Sequence, residues 1–202
     1  MSDFRGYIAF EPEDLTRDDR ARADAPFLST GLGKPGVWRD EVAALAHAQR
    51  LVTAEDRAER QPFEDPAGRV ILFDGHLFEP AVIAGRLGLR PETPDSRIAA
   101  AWFDRHGPEA LDGLKGDYCF AIWDPRERRL HLVVAPMATR IVYWYARPKG
   151  VWFATTLSAL HQFSSVPRTL DPLQLALQFT ATVADPADTL YRDIRLVPPG
   201  TA

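Results

Sequence analysis

The amino-acid sequence predicts an α+β domain whose sheets are mostly antiparallel. Strand-like segments come in runs at hairpin spacing and helix-like segments are grouped between them, unlike the strict strand–helix alternation of a parallel sheet. Of the 202 residues, 46% are hydrophobic and 26% are charged, which is the balance of a folded domain with a sizeable core. This length suits one domain, or one domain and part of a second.

The N-terminal third contains strand-like, helix-like and glycine-rich stretches. Residues 3–10 are predicted to form a short strand, and residues 50–53 another. Good helix formers fill residues 40–49, which we therefore expect to be helical. The three glycines of residues 30–36 lack the spacing of a phosphate-binding loop, so we expect a plain turn there.

The middle of the chain has the clearest pattern. The apolar run over residues 69–73 predicts a buried strand that ends in a tight turn at Asp74-Gly75. Asp95 is expected to be the N-cap of a helix that stops at Gly107. Two further helices are predicted, over residues 79–87 and 109–114.

Four strands at hairpin spacing follow, over residues 118–123, 130–135, 141–146 and 151–155. Their many aromatic residues are expected to pack between layers, because no basic groove for nucleic-acid bases accompanies them. After a linker over residues 164–169, Asp171 and Pro172 form a strong helix start. That helix has little to pack on, so we expect it to lead into a second domain that is missing here.

Charge and composition argue against several classes of function. A net charge of −4 provides no basic surface for nucleic acid. No apolar run approaches the length of a membrane span, and the N-terminus carries no targeting pattern, so we expect a cytoplasmic protein. The single cysteine, Cys119, cannot form an internal disulfide, and the five histidines lack metal-site spacing, so no metal is expected.

Seven short strings occur in the order found in the asparagine synthetase family, and they span nearly the whole chain. The most specific are residues 114–124, Leu-Lys-Gly-Asp-Tyr-Cys-Phe-Ala-Ile-Trp-Asp, and residues 189–200, which end in Arg-Leu-Val-Pro-Pro-Gly. The others are residues 61–62, 73–75, 94–96, 153–160 and 170–172. The sequence therefore resembles the N-terminal half of asparagine-synthetase-like enzymes.

This resemblance implies a class II glutamine amidotransferase domain, an αββα sandwich of the N-terminal-nucleophile type, over residues 1–163. Residues 164–202 would form a linker and the start of a synthetase domain. In the family that second domain uses ATP and Mg²⁺ to activate a carboxylate as an acyl-adenylate. Its Ser-Gly-Gly-x-Asp-Ser loop does not occur in this sequence, so we expect no cofactor in this chain, and ATP and Mg²⁺ only in the missing half.

The resemblance also locates the family's site residues, several of which are replaced here. The cysteine nucleophile, which precedes a glycine, falls on Arg5, and an internal arginine supplies neither a nucleophile nor a free α-amino base. Asp74-Gly75-His76 stands where the family has Asn-Gly-Glu, and an ionised carboxylate cannot donate to an oxyanion. Asp95 matches the acid that holds the substrate's amino group, and Arg50 matches the arginine that holds its carboxylate. The vestigial substrate site thus comprises Arg50, Asp74, Gly75, His76 and Asp95.

Two other nucleophiles are considered and set aside. Ser2 becomes N-terminal when Met1 is removed, but it lies four residues before Gly6, so in an extended chain its hydroxyl would be about 10 Å from the family's nucleophile position. Cys119 lies within an aromatic strand, where a buried core residue is expected. No catalytic residue is therefore predicted in this chain, with Ser2 as the alternative.

The expected function is that of a catalytically silent domain of an ATP-dependent amide-forming enzyme. Lasso-peptide cyclases and β-lactam synthetases carry such degenerate halves, and we favour a lasso-peptide cyclase. The expected partners are the protein's own synthetase domain and a precursor peptide or partner maturation protein. Two alternatives remain, a glutamine-hydrolysing asparagine synthetase acting through Ser2, and a stand-alone peptide- or protein-binding module.

Overall fold

Two antiparallel sheets form the centre of the computed structural model. It describes residues 2–14, 16–27, 35–50, 59–108, 113–137, 139–180, 182 and 185–201. Within these residues it confirms the predicted α+β class, and the two sheets lie face to face with helices on their outer surfaces.

The first sheet has six strands, with β1 near its centre. Their order across the sheet is β10 (Ile194–Leu196), β8 (Tyr143–Arg147), β9 (Gly150–Ala154), β1 (Asp3–Ala9), β3 (Ala43–Ala48) and β2 (Gly36–Arg39). Every residue of β1 is buried, because β3 and β9 pair with its two edges and both faces of the strand are covered. The predicted strand over residues 3–10 is confirmed.

The second sheet has four strands in simple chain order. They are β4 (Phe63–Glu64), β5 (Val70–Leu77), β6 (Gly116–Asp124) and β7 (Arg129–Val134). β5 and β6 pair over eight residues, and they place residues 73–75 of one sequence string opposite residues 118–120 of another. The predicted strands over residues 118–123, 130–135, 141–146 and 151–155 correspond to β6, β7, β8 and β9.

The described residues contain five α-helices, of which the first four pack on the sheets: α1 (Arg17–Ala23), α2 (Pro80–Leu87), α3 (Asp95–His106), α4 (Leu157–Leu160) and α5 (Pro172–Phe179). One core cluster joins α2 and α3 to the second sheet, and another joins α4 and the segment after α1 to the first. A third lies between the two sheets and contains Phe4, Leu45, Leu72 and Phe153. These layers give the αββα order that the resemblance implies.

The helix predicted over residues 40–49 is wrong, because this segment forms β3. All six residues of β3 are buried between β1 and β2. Its run of alanines has high helix propensity, but small side chains also fit a central strand that is covered on both faces. Tertiary pairing outweighs local propensity at this position.

The tight turn predicted at Asp74-Gly75 is also wrong, because β5 continues through both residues to Leu77. Gly75 has φ of +141°, and a Cβ there would lie 2.2 Å from the Asp117 carbonyl oxygen. This close approach of β6 requires glycine. A turn also favours glycine, so the sequence alone does not distinguish the two.

The helix that begins near Asp95 is confirmed, but its capping differs from the prediction. The N-cap is Pro94, and the Asp95 side chain accepts a hydrogen bond from the Leu77 backbone N–H at 2.9 Å. Asp95 therefore joins α3 to the end of β5, while Gly107 caps the C-terminus as predicted. The helix over residues 79–87 is confirmed as α2, with Pro80 in its first turn.

The predicted turn over residues 30–36, the strand over 50–53 and the helix over 109–114 fall largely outside the described residues. At the C-terminal end, the Asp171 side chain accepts hydrogen bonds from the Leu173 and Gln174 N–H groups, as expected of an N-cap. β10 belongs to the first sheet although it lies in the segment assigned to a second domain. The division at residues 163 and 164 stays a prediction.

Candidate functional site

Three of the predicted site residues meet where β1 begins and β5 nears its end. The Ser2 backbone N–H donates to Asp74 Oδ1 at 3.0 Å, and the Arg50 backbone N–H donates to Ser2 Oγ at 3.0 Å. Asp74 is 4% exposed, so its carboxylate faces Ser2 in a setting with little water. The structure therefore brings together Ser2, Arg50 and Asp74.

A charge network extends from Asp74 to a residue that the sequence analysis missed. Arg140 Nη1 lies 2.7 Å from Asp74 Oδ2, and Arg140 Nε lies 3.1 Å from Asp117 Oδ2. Asp117 also accepts a hydrogen bond from the Thr139 hydroxyl. One guanidinium thus bridges two carboxylates on neighbouring strands.

Burial and charge act in opposite directions on this network. Burial raises the pKa of the Asp74 carboxyl above its ordinary value, although Arg140 acts to lower it. Burial would lower the pKa of Arg140, but Asp74 and Asp117 outweigh this effect and raise it. The guanidinium is therefore held firmly in its charged form beside the buried carboxylate.

A cavity of about 210 Å³ lies beside these groups. Its walls include the acidic side chains Asp3 and Asp74, the Arg140 guanidinium, the Thr155 hydroxyl and the apolar surfaces of Tyr143 and Leu157. The Thr155 hydroxyl donates to Asp3 Oδ1 at 3.2 Å. The cavity is thus lined by side chains of both charges and by apolar surface.

Arg5, the position matched to the family nucleophile, lies apart from this cluster. Its side chain is fully buried on the opposite side of the first sheet from the second sheet. The guanidinium donates to Gln162 Oε1 and to the carbonyl of Ala25, and it lies 4.3 Å from the centre of the Phe27 ring. Burial, with a smaller effect of Arg22, lowers the pKa of Arg5 to about 10. Arg5 therefore secures the chain after α1 and touches none of the other candidates.

The remaining candidates occupy the far end of β5. His76 is half exposed, and its Nδ1 lies 3.9 Å from Asp95 Oδ2. Asp95 is engaged by the Leu77 N–H, and Gly75 is packed against β6. These residues lie near one another, around the end of β5 and the start of α3. The predicted substrate residues thus form two groups, one of Arg50 and Asp74 beside Ser2 and one of Gly75, His76 and Asp95.

The only cysteine of the chain, Cys119, is fully buried between the two sheets. It is the cross-strand partner of Asp74. Burial, and to a smaller extent the Asp74 charge, raise the pKa of its thiol well above the ordinary value. A protonated, inaccessible thiol is a poor nucleophile, as expected of a core residue.

Within the described part of the chain, no group of three or more His, Cys, Asp or Glu side chains is arranged to hold a metal ion. The pyrophosphate loop of the synthetase half does not occur anywhere in the sequence. None of the helices described is long and apolar enough to cross a membrane.

Arg140 was not among the predicted site residues, because it lies in a segment where this chain departs from the family's motifs. Family residues are replaced at positions 135–136, 139 and 141–142, and the arginine between them matches no motif. The available signal was the pairing of charges. Asp74 follows the apolar segment 69–73, so its carboxylate is expected to be buried and to need a cationic partner. Arg140 is a candidate because it directly precedes a predicted apolar strand.

The family model described as a glutamine amidotransferase domain matches residues 1–202. Asparagine synthetase B (glutamine-hydrolyzing) of Escherichia coli (strain K12) is 27% identical over 111 residues, covering 50% of this chain and 20% of that protein. The chain therefore spans about a fifth of the length of this curated relative.

A solved structure supports the fold independently. Glutamine phosphoribosylpyrophosphate amidotransferase from B. subtilis, complexed with ADP and GMP, superposes with a TM-score of 0.53 at 15% sequence identity. The match covers 80% of this chain and 43% of that one. At this identity the likeness concerns the fold, an N-terminal-nucleophile-type sandwich. With the family model matching from the first residue to the last, the chain belongs to the glutamine amidotransferase domain family and is related to asparagine synthetase.

Proposed function

We propose that this chain is a catalytically silent glutaminase-like domain of an ATP-dependent amide-forming synthetase. The observation that carries the proposal is the contact of Ser2 with Asp74, which is itself paired with Arg140. Glutamine hydrolysis would need the nitrogen of residue 2 and the side chain at position 74 to be available to the substrate, and here they are bonded to each other.

Hydrolysis by an N-terminal nucleophile needs a reactive side chain, a neutral α-amino base and donors for the oxyanion. Removal of Met1 would leave the Ser2 amino group about 3 Å from the Asp74 carboxylate. A carboxylate at that distance favours the ammonium form, which cannot accept the proton of the nucleophile. The same carboxylate stands where the family has a donating amide, and it would repel an oxyanion.

A domain of this kind supports a neighbouring synthetase without supplying ammonia. When the attacking amine belongs to the substrate itself, as in lactam formation, glutamine hydrolysis is dispensable and its site is free to change. We infer on this basis that the parent enzyme is a lasso-peptide cyclase. It would use ATP and Mg²⁺ in its synthetase domain and act in the cytoplasm, with a precursor peptide or maturation protein as partner.

An assay of ammonia release tests the proposal. The purified protein is incubated with glutamine beside a Ser2→Ala variant and a Ser164→Ala control, since Ser164 is exposed and remote from Asp74. We expect all three to release ammonia at the rate of the buffer alone. Release by the unaltered protein and by Ser164→Ala, but not by Ser2→Ala, would contradict catalytic silence.

One observation favours a second candidate, a glutamine-hydrolysing domain that acts through Ser2. The Ser2 side chain is held by the Arg50 N–H within the same cluster as Asp74, and serine can serve as an N-terminal nucleophile. That candidate requires removal of Met1, which the intact mass of the purified protein reports. It predicts the ammonia release that the assay above measures.

A further inference from the structure

Asp74 and Asp117 lie on one face of the second sheet and are held together by a cation. Asp74 of β5 pairs with Cys119, and His76 pairs with Asp117 of β6, so the two aspartates are diagonal neighbours on the same face. Carboxylates at this spacing repel each other unless a positive group lies between them. The Arg140 guanidinium supplies this positive charge. Its Nη1 lies 2.7 Å from Asp74 Oδ2, and its Nε lies 3.1 Å from Asp117 Oδ2.

Arg140 reaches these carboxylates from a connecting segment. It lies between β7 and β8, outside either strand, and its side chain is only 11% exposed. The guanidinium has the planar, multi-donor shape that two carboxylates bind best. Movement of the Arg140 side chain away from the two carboxylates would break no backbone hydrogen bond of either sheet.

We propose that the inherited pocket is a guanidinium-binding site whose resident ligand is the chain's own Arg140. Arg140 thereby acts as an internal plug that keeps the Asp74–Asp117 pair closed to other cations. This inference rests on the proposed function, because a pocket that must admit glutamine could not be closed in this way. The cavity of about 210 Å³ beside the plug is lined by Asp74 and Arg140, so it gives an external guanidinium a route to the Asp74 carboxylate.

The test is to remove the plug and offer a small substitute. The full chain with Arg140→Ala is titrated with ethylguanidinium at millimolar concentration, with calorimetry for binding and circular dichroism for the thermal midpoint. We expect Arg140→Ala to have a lower midpoint than the unaltered protein, to bind ethylguanidinium at least tenfold more tightly, and to regain part of the lost midpoint. Ethylammonium should bind less tightly, because it lacks the planar fork of donors.

Three controls make the result specific. Arg147→Ala breaks an exposed ion pair with Asp193, and it should gain no ethylguanidinium binding. Arg140→Ala combined with Asp74→Asn should lose the gain. Arg140→Gln, which keeps some of the side chain's volume and polarity, serves as a second unplugged variant if Arg140→Ala folds poorly.

The inference is overturned if the unaltered protein binds ethylguanidinium as tightly as the unplugged variants, or if binding survives Asp74→Asn. It is also overturned if neither unplugged variant is stabilised by ethylguanidinium. These outcomes are separate from those of the ammonia assay, which needs no variant of Arg140. Glutamine hydrolysis by the unaltered protein would contradict the proposed function, whatever the ethylguanidinium result.

Discussion

A buried histidine shows how one residue couples the two sheets behind the candidate site. His47 of β3 donates from Nε2 to the carbonyl oxygen of Phe73 at 3.1 Å, across the space between the sheets. The ring is 2% exposed. Burial lowers the pKa of His47 to about 4, although the Phe73 carbonyl acts to raise it. The side chain is therefore neutral at pH 7.

This burial predicts a loss of stability in mild acid. The folded pKa of about 4 lies below the ordinary value of about 6.5, so the unfolded chain binds more protons between these pH values. The contribution of His47 to the free energy of unfolding is complete above pH 6.5 and falls by about 3 kcal/mol as the pH drops to 4. Urea unfolding of the unaltered protein and of His47→Gln, measured at several pH values, isolates this contribution.

His106→Gln is the matched control, because His106 is exposed at the end of α3. The difference in unfolding free energy between unaltered protein and His47→Gln should shrink as the pH falls from 6.5 to 4. The difference for His106→Gln over the same pH range is the reference for a histidine at the surface. A His47→Gln difference that does not change with pH would show that His47 is not buried in its neutral form.

Arg5 and Ser2, the two positions weighed for the nucleophile, lie in different surroundings. Arg5 was matched to the nucleophile because it precedes Gly6. In the structure it is part of the first sheet's outer packing, whereas Ser2 lies beside Asp74. Strand direction explains the difference. Ser2 lies at the start of β1, at the end of the strand that meets β5, and Arg5 lies three residues further along.

Among the elements, β5 depends on one glycine at the point where it passes β6. Gly75→Ala would place a Cβ 2.2 Å from the Asp117 carbonyl oxygen, at φ of +141°. Overpacking against backbone and an unfavourable φ together should lower the free energy of unfolding by about 3 kcal/mol or more. Denaturant unfolding measures the loss.

Gly88→Ala separates the two causes. Gly88 has φ of +74° at the end of α2, with no atom near its added Cβ. It should lose only about 1 kcal/mol, the conformational cost alone. Equal losses at Gly75 and Gly88 would mean that the close approach of β6 to β5 is not what requires glycine.

The elements α2, α5 and β6 were predicted correctly, because the pattern of apolar residues and the residues at the element ends point to the same conformation. The prediction failed at β3, where alanines favour a helix locally but pack as a central strand. Such a strand could not be predicted because its neighbours, β1 and β2, determine its conformation and are set by long-range pairing.

For the whole molecule, the sandwich and its family could be predicted because seven ordered strings span the chain. The site could be predicted only in part. Asp74, Gly75 and Arg50 were found through the family pattern, but the cation that neutralises Asp74 comes from a segment where the pattern is lost. A contact between two distant segments, such as that of Asp74 with Arg140, is visible in three dimensions and leaves no motif.

Helix α5 is joined to the segment that follows it by a hydrogen bond from the Gln174 side-chain amide to Asp188 Oδ2 at 2.8 Å, but its apolar side chains are not covered. No residue of α5 is buried, and Leu173 and Phe179 are 64% and 85% exposed. The same segment continues into β10, which completes the first sheet. The sheet thus anchors the tail, and the apolar face of α5 stays open among the described residues.

The proposed catalytic silence depends on whether residue 2, held in the Ser2–Asp74–Arg140 network, can attack a carbonyl group. The most direct measurement is the intact mass of the protein after incubation with an electrophilic diazoketone analogue of glutamine, followed by peptide mapping. We predict no added mass on residue 2, with or without Met1. A stoichiometric adduct on Ser2, absent from Ser2→Ala, would show a working nucleophile and contradict the account.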